Sequence, residues 1–210
     1  MFRLICLAIG YCFGMIQSSF IIGKLVYKID IREHGSKSSG TTNTNRVLGV
    51  KAGLVVFACD ILKAVAAYAV CALIFGGAGP FSFGGGDFLP GLYAGLGAIL
   101  GHNFPAYMKF KGGKGVAATI GVLLCFDLRI ALICYAVMAA VIIATRYVSL
   151  GSLVLTALFA VLTRVFGYDI EAVILAAAVA VLAWFQHRRN IARLVSGKES
   201  KLTFKRQARP

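Results

Sequence analysis

The chain has 210 residues, 59% of them hydrophobic, with a mean hydropathy of +0.83 and only 14% charged. A soluble domain sits nearer half apolar and a quarter charged, so composition excludes an ordinary soluble globule and points to an integral membrane protein of one domain, residues 1–210. The net charge of +14 would suit a nucleic-acid binder, but the cations lie in loops and the C-terminal tail, as expected beside anionic lipid headgroups; the lipid bilayer is the expected partner, not nucleic acid.

Seven apolar runs predict an all-α bundle of about seven transmembrane helices: 2–24, 52–76, 91–106, 116–127, 129–145, 150–166 and 170–186. The first run follows Arg3 and lacks a small-x-small cleavage site, so it reads as an uncleaved helix rather than a leader. After it comes GSKSSGTTNTNR, Gly35 to Arg46, with six hydroxyls, Lys37, Arg46 and no acid. Such a stretch is either a flexible polar loop or a phosphate cradle, since phosphate needs close N–H groups, hydroxyl donors and fixed positive charge. It does not match GxxxxGK[ST], so nucleotide hydrolysis is not implied.

Within the second run, Asp60 and Lys63 stand at i and i+3 and predict a structural ion pair in the membrane. Gly76 to Pro80 and Gly84 to Gly86 mark an external turn-rich loop. The third and fourth runs are short for a crossing and flank GHNFPAYMKFKGGKG, Gly101 to Gly115. Short segments around a Gly-rich polar stretch suggest broken helices beside a cavity. Gly112 and Gly113 would let backbone N–H groups approach an anion, Lys114 adds a point charge, and a helix starting near Val116 adds its positive end. His102-Asn103 reads as a polar pair ending a helix. Arg146-Tyr147-Val148-Ser149-Leu150-Gly151-Ser152 sets a charge and two hydroxyls at a helix boundary, and His187 and Asn190 share one helical face.

Orientation follows from charge. Eighteen of the 22 Lys and Arg fall in 24–51, 109–114, 146 and 187–210, against Arg3, Arg129 and Arg164 on the other side. That places the motif loops and the C-terminus in the cytoplasm and the N-terminus outside. The six cysteines fall in apolar runs without a CxxC pair and read as small buried hydrophobes. His34, His102 and His187 show no metal-ligand spacing, and the aspartates are scattered, so neither a metal nor another cofactor is expected.

In this order, IREHGSKSSGTTNTNRVLGVKAG (31–53), DILK (60–63), GHNFPAYMKFKGGKGVA (101–117), RYVSLGS (146–152) and HRRNIARLVSGKE (187–199) resemble the bacterial acyl-phosphate:glycerol-3-phosphate acyltransferases, over almost the whole chain. The resemblance implies an inner-membrane enzyme with its site facing the cytoplasm. It would transfer a fatty acyl group from acyl phosphate to the 1-hydroxyl of sn-glycerol 3-phosphate, giving lysophosphatidic acid and phosphate at the first step of phospholipid synthesis. A soluble enzyme making acyl phosphate is an implied partner. Carried over by residue, Ser36, Arg46, Lys114, Ser152, His187 and Asn190 are the implied catalytic set. Arg32, Gly35, Gly40, Thr42, Asn43, Gly112 and Gly113 join Ser36, Arg46 and Lys114 in holding phosphate, and Glu199 supports structure.

Two departures stand out. Lys37 and Ser38 replace a glycine and an asparagine of the family's loop, so Lys37 would be strained if its position needs φ > 0. Gly14-Met15-Ile16-Gln17 lacks the first-helix serine, for which Ser18 or Ser19 is a possible substitute. The chief alternative is an organophosphate transporter, which would share basic loops but predicts pseudo-symmetric halves that the sequence does not show.

Overall fold

The structure, a computed structural model, describes residues 1–77, 81 and 87–202. Most of the predicted external glycine loop, and the basic tail beyond Leu202, lie outside the described residues. Within them the chain is all-α. Helices run α1 Phe2–Gly14, α2 Ser18–Leu25, α3 Thr41–Leu48, α4 Val50–Phe75, α5 Leu89–Asn103, α6 Val116–Phe126, α7 Leu128–Thr145, α8 Val148–Val165, α9 Ile170–Gln186 and α10 Arg188–Val195.

Each predicted apolar run is helical. Phe2–Leu25, Val50–Phe75, Leu128–Thr145 and Val148–Val165 are long and apolar enough to cross a membrane, and α9 with α10 qualify as a pair bent by 63°. The 15-residue α5 and 11-residue α6 are short, as expected of segments beside a cavity. At 1.5 Å per residue they reach roughly 23 and 17 Å, against a hydrocarbon core of about 30 Å. The first run breaks after Gly14, and α2 begins at Ser18, directly after Gln17.

The outer faces of these helices are apolar, with Leu62, Leu73, Ile143, Val161 and Val181 exposed, as lipid contact requires. Inside, Phe88, Phe126, Phe159 and Tyr168 form a ring cluster with centroids 4.5–5.8 Å apart. Cys6, Cys71, Cys125 and Cys134 are buried there, but Cys12 and Cys59 are exposed, which corrects the expectation of six buried thiols. Helices α1 and α5 touch backbone to backbone. A Cβ on Gly10 or Gly14 would strike the carbonyls of Ala94 or Ala98, and one on Gly97 or Gly101 those of Leu7 or Tyr11.

Connections at one end of the bundle are tied by acids. Asp127 caps α7 and accepts from the Tyr168 hydroxyl at 2.7 Å, while Glu171 accepts from Arg3 and Tyr93. The opposite end carries the four polar stretches singled out in the sequence. One differs from expectation: the second half of Gly35–Arg46 is not a loop but the start of α3.

Candidate active site

A cavity of about 1430 Å³ opens at that polar end. It is lined by the whole implied catalytic and phosphate-binding set: Arg32, Gly35, Ser36, Gly40, Thr42, Asn43 and Arg46 from the first stretch, then Gly112, Gly113 and Lys114, and then Ser152, His187 and Asn190; Asp60 and Glu199 line it too, and Lys63 does not. Residues up to 167 positions apart thus share one space.

The first wall is organised by Asn43. Its amide Oδ1 accepts the Ser36 N–H at 2.7 Å, and its Nδ2 lies 3.0–3.1 Å from the carbonyls of Ile31, His34 and Ser38. Its polar atoms are committed to the loop backbone, so Asn43 clamps the loop rather than offering its side chain to phosphate. Gly35 sits at φ +58, and a Cβ there would meet the Asn43 amide, so this turn requires glycine. Lys37 has φ +59, the left-handed strain anticipated for this replacement.

Beyond the turn, α3 begins without a side-chain cap. Its first backbone acceptor bond is Thr44 N–H to Gly40, leaving the N–H groups of Thr41, Thr42 and Asn43 without a helical partner at the cavity. Arg46, on the same helix, pairs with no acid among the described residues. Arg32 differs: it is held by Asp30 at 2.7 and 3.0 Å and lies over the Phe20 ring. The Arg32 hydrogen bonds hold the Asp30 carboxyl down to about 2, against the opposing effect of burial.

The second wall is the 104–115 connection. Gly112 and Gly113 do not offer their N–H groups to an anion, as the sequence suggested; they donate to the carbonyls of Asn103 and His102 at 3.1 and 3.0 Å. The reason is local: α5 ends at Asn103, and the returning chain satisfies its free carbonyls. Helix α6 does start at Val116, uncapped by a side chain, with Gly115, Val116 and Ala117 at the cavity. Burial pushes the Lys114 ammonium down to about 8; Arg193 and Arg46 act in the same direction and Glu199 opposes them.

The third wall is a network centred on Glu199. This carboxylate accepts from Ser149 Oγ at 2.8 Å, Asn190 Nδ2 at 2.6 Å and Arg193 Nε at 2.7 Å. With its Nδ2 so fixed, Asn190 turns Oδ1 to the Lys114 ammonium, 2.5 Å away. Burial raises the Glu199 proton affinity, but the bonds from Asn190, Arg193 and Ser149 win and hold it below its ordinary value. Ser152 is buried, with its hydroxyl donating to Val148. His187 Nδ1 is 2.7 Å from the Ala183 carbonyl, which only accepts, so Nδ1 carries the proton and a neutral ring presents a lone pair on Nε2.

Under the cavity lies the predicted Asp60–Lys63 pair, at 2.8 Å. Ser18 donates to Asp60, and the buried Gln17 joins Ser39 to the His102 carbonyl, so residues at the break after α1 tie the first wall to the second. Sequence reasoning had no role for Gln17, Ser149 or Arg193. Only a polar residue at an apolar break flagged the first, and the other two lay inside motifs whose named members drew the attention.

The chain matches the family model described as glycerol-3-phosphate acyltransferase over residues 4–197. A glycerol-3-phosphate acyltransferase of Halalkalibacterium halodurans is 46% identical over 207 residues, and one of Thermoanaerobacter pseudethanolicus 40% over 202, each alignment covering 96% of both chains. Among solved structures, PlsY, an integral membrane glycerol 3-phosphate acyltransferase, matches in its glycerol 3-phosphate form with a TM-score of 0.84, 33% identity and 96% of both chains covered. Its lysophosphatidic acid form matches with a TM-score of 0.81 and 32% identity, again over 96% of both chains. With a family model spanning nearly the whole chain and full-length relatives at this identity, the chain belongs to the glycerol-3-phosphate acyltransferase family.

Proposed function

We propose that this chain transfers a fatty acyl group from acyl phosphate to the 1-hydroxyl of sn-glycerol 3-phosphate, within a single domain spanning its whole length. The observation that carries this reading is the cavity with two uncapped helix N-termini, α3 and α6, flanked by Arg46 and Lys114. Two phosphates need two such sites. The relatives named for glycerol 3-phosphate acyl transfer support the acceptor.

Ser36, the free N–H groups of α3 and Arg46 hold one phosphate; Lys114 and the α6 N-terminus hold the other. Ser152, His187 and Asn190 orient the glycerol end. The 1-hydroxyl oxygen attacks the acyl carbonyl carbon, the carbon–oxygen bond to phosphate breaks, and phosphate leaves with that electron pair. The 1-hydroxyl proton passes to a phosphate oxygen, so the substrate serves as its own base, while His187 Nε2 aligns the glycerol end by accepting from its other hydroxyl. Acyl phosphate is already activated, so positioning and charge stabilisation supply most of the acceleration.

The distribution of Lys and Arg supports seven crossings of the bacterial inner membrane, with the N-terminus outside and the cavity in the cytoplasmic leaflet. A soluble acyl-phosphate-producing enzyme would deliver substrate to that face. The test is phosphate release from purified protein given palmitoyl phosphate with and without glycerol 3-phosphate, without metal, beside palmitoyl-CoA. Release only with both substrates, and none with the CoA ester, is expected. No release from folded protein would instead favour organophosphate transport, to be read by liposome uptake.

A further inference from the structure

The buried group that the proposed chemistry leaves unused is His102, at the last turn of α5. It is 3% exposed, lines the cavity, and is enclosed on its inner side by a fixed set of partners. Lys63 Nζ stands 2.9 Å from its Nδ1, 2.7 Å from the Ile16 carbonyl and 2.8 Å from Asp60 Oδ1. An ammonium has three N–H donors and no acceptor, and these three partners use all of them. Nδ1 must therefore hold the lone pair, and the neutral ring must carry its proton on Nε2. The two histidines of the cavity are thus opposite tautomers: His187 accepts at Nε2, and His102 donates there.

That Nε2–H has no hydrogen-bond partner among the described residues. It lies directly over Gly113, where a Cβ would collide with Nε2, so glycine is required to leave the ring edge open. The N–H groups of Gly112 and Gly113 are already given to α5 carbonyls. Beside Lys114, the neutral donors on this wall are otherwise the first backbone N–H groups of α6.

We propose that His102 donates its Nε2–H to a phosphate oxygen of substrate bound at the Gly112–Lys114 wall, and that Asp60 and Lys63 act as positioning residues that hold it in the donating tautomer. The pair then has a use beyond stability: a buried cation with all its protons committed sets the state of a ring that reaches the site. This inference rests on the acyltransferase reading, and the shared ligand chemistry is a phosphate oxygen of acyl phosphate or of glycerol 3-phosphate.

The test compares His102→Gln with His102→Asn. The glutamine amide places an N–H near the Nε2 position, whereas asparagine places its amide oxygen near Nδ1, where it accepts from Lys63, and nothing at Nε2; both leave the Lys63–Asp60 contact in place. Phosphate release is measured with each substrate varied in turn, on variants whose thermal unfolding is measured alongside. His102→Gln is expected to stay within about threefold of wild type. His102→Asn should lose roughly ten- to a hundredfold in kcat/KM, the size of one hydrogen bond to a charged group. A KM rise for palmitoyl phosphate assigns the donor to acyl phosphate; a rise for glycerol 3-phosphate assigns it to the acceptor.

Equal activity of the two variants, or a loss with both KM values unchanged, overturns the proposal. An inactive wild type would fail the acyltransferase reading instead. If neither variant folds, ¹⁵N-histidine spectra of wild-type protein decide: a protonated Nε2 that shifts on adding palmitoyl phosphate or glycerol 3-phosphate upholds the assignment, and a protonated Nδ1 or an unmoved Nε2 signal refutes it.

Discussion

Raising the pH should discharge Lys114 within an accessible range. Burial holds its ammonium at about 8, well under the ordinary lysine value. At pH 7 about nine in ten free enzyme molecules carry this charge, and at pH 9 about one in ten, so kcat/KM for the substrate whose phosphate Lys114 holds should fall about tenfold between them. Stability should move the other way. The unfolded lysine holds its proton to about 10.4 while the folded one loses it near 8, so between these values the unfolded state binds more protons. Across that window the group adds of order 3 kcal/mol to folding stability as pH rises. Lys114→Arg keeps its charge throughout, at lower overall activity because a planar fork replaces a point charge. The assay is kcat/KM from pH 6.5 to 10 for both proteins, with Tm at each pH. An alkaline limb that survives in Lys114→Arg, one absent from wild type below pH 10, or a Tm gap independent of pH would each refute the reasoning.

Replacing Glu199 with Gln puts an amide N–H against one of three donors, so Asn190 loses its fixed orientation toward Lys114. A loss of about 1–3 kcal/mol in stability and at least tenfold in kcat/KM is expected, read by thermal unfolding and phosphate release. Asn43→Asp sets a carboxylate oxygen against three carbonyls in place of the donating Nδ2, and should raise the KM of at least one phosphate substrate by more than tenfold. Lys37→Gly removes left-handed strain of about 1 kcal/mol, partly offset by a more flexible unfolded chain, so Tm should hold or rise slightly. Unchanged KM values in that variant would show that the Lys37 charge does not bind phosphate; a severalfold rise would show that it does.

Much of this molecule could be read from residue order. Apolar runs gave the helices, because lipid-facing and core-facing sides are both hydrophobic and leave long uninterrupted signals. The helix starting at Val116 was legible from the glycines before it, and the Asp60–Lys63 pair from its spacing. Helix α3 was not, because Thr41 to Arg46 is rich in residues that favour loops and caps, and its fold depends on Asn43 reaching backward to the preceding turn. The roles of Gly112 and Gly113 were also hidden. A glycine pair that offers N–H groups to an anion looks the same in sequence as one that gives them to the end of the previous helix. Glu199 could be placed only as a supporting residue, since Ser149 lies 50 positions away.

The glycine faces between α1 and α5 have a consequence for where motion can occur. Two helices in contact through carbonyls and bare α-carbons cannot slide without separating first, so the end of α5, with His102 and the carbonyls that anchor Gly112 and Gly113, is set once, when the chain folds. Binding then spends little free energy on ordering that side. The facing side is built differently: α9 and α10 meet at a 63° bend, and exchangeable side-chain bonds to Glu199 keep it in place. Entry of a long acyl chain and departure of a larger amphiphile must displace something. The path of least resistance runs through that bend, leaving the fixed side as a stationary template against which the other opens and closes.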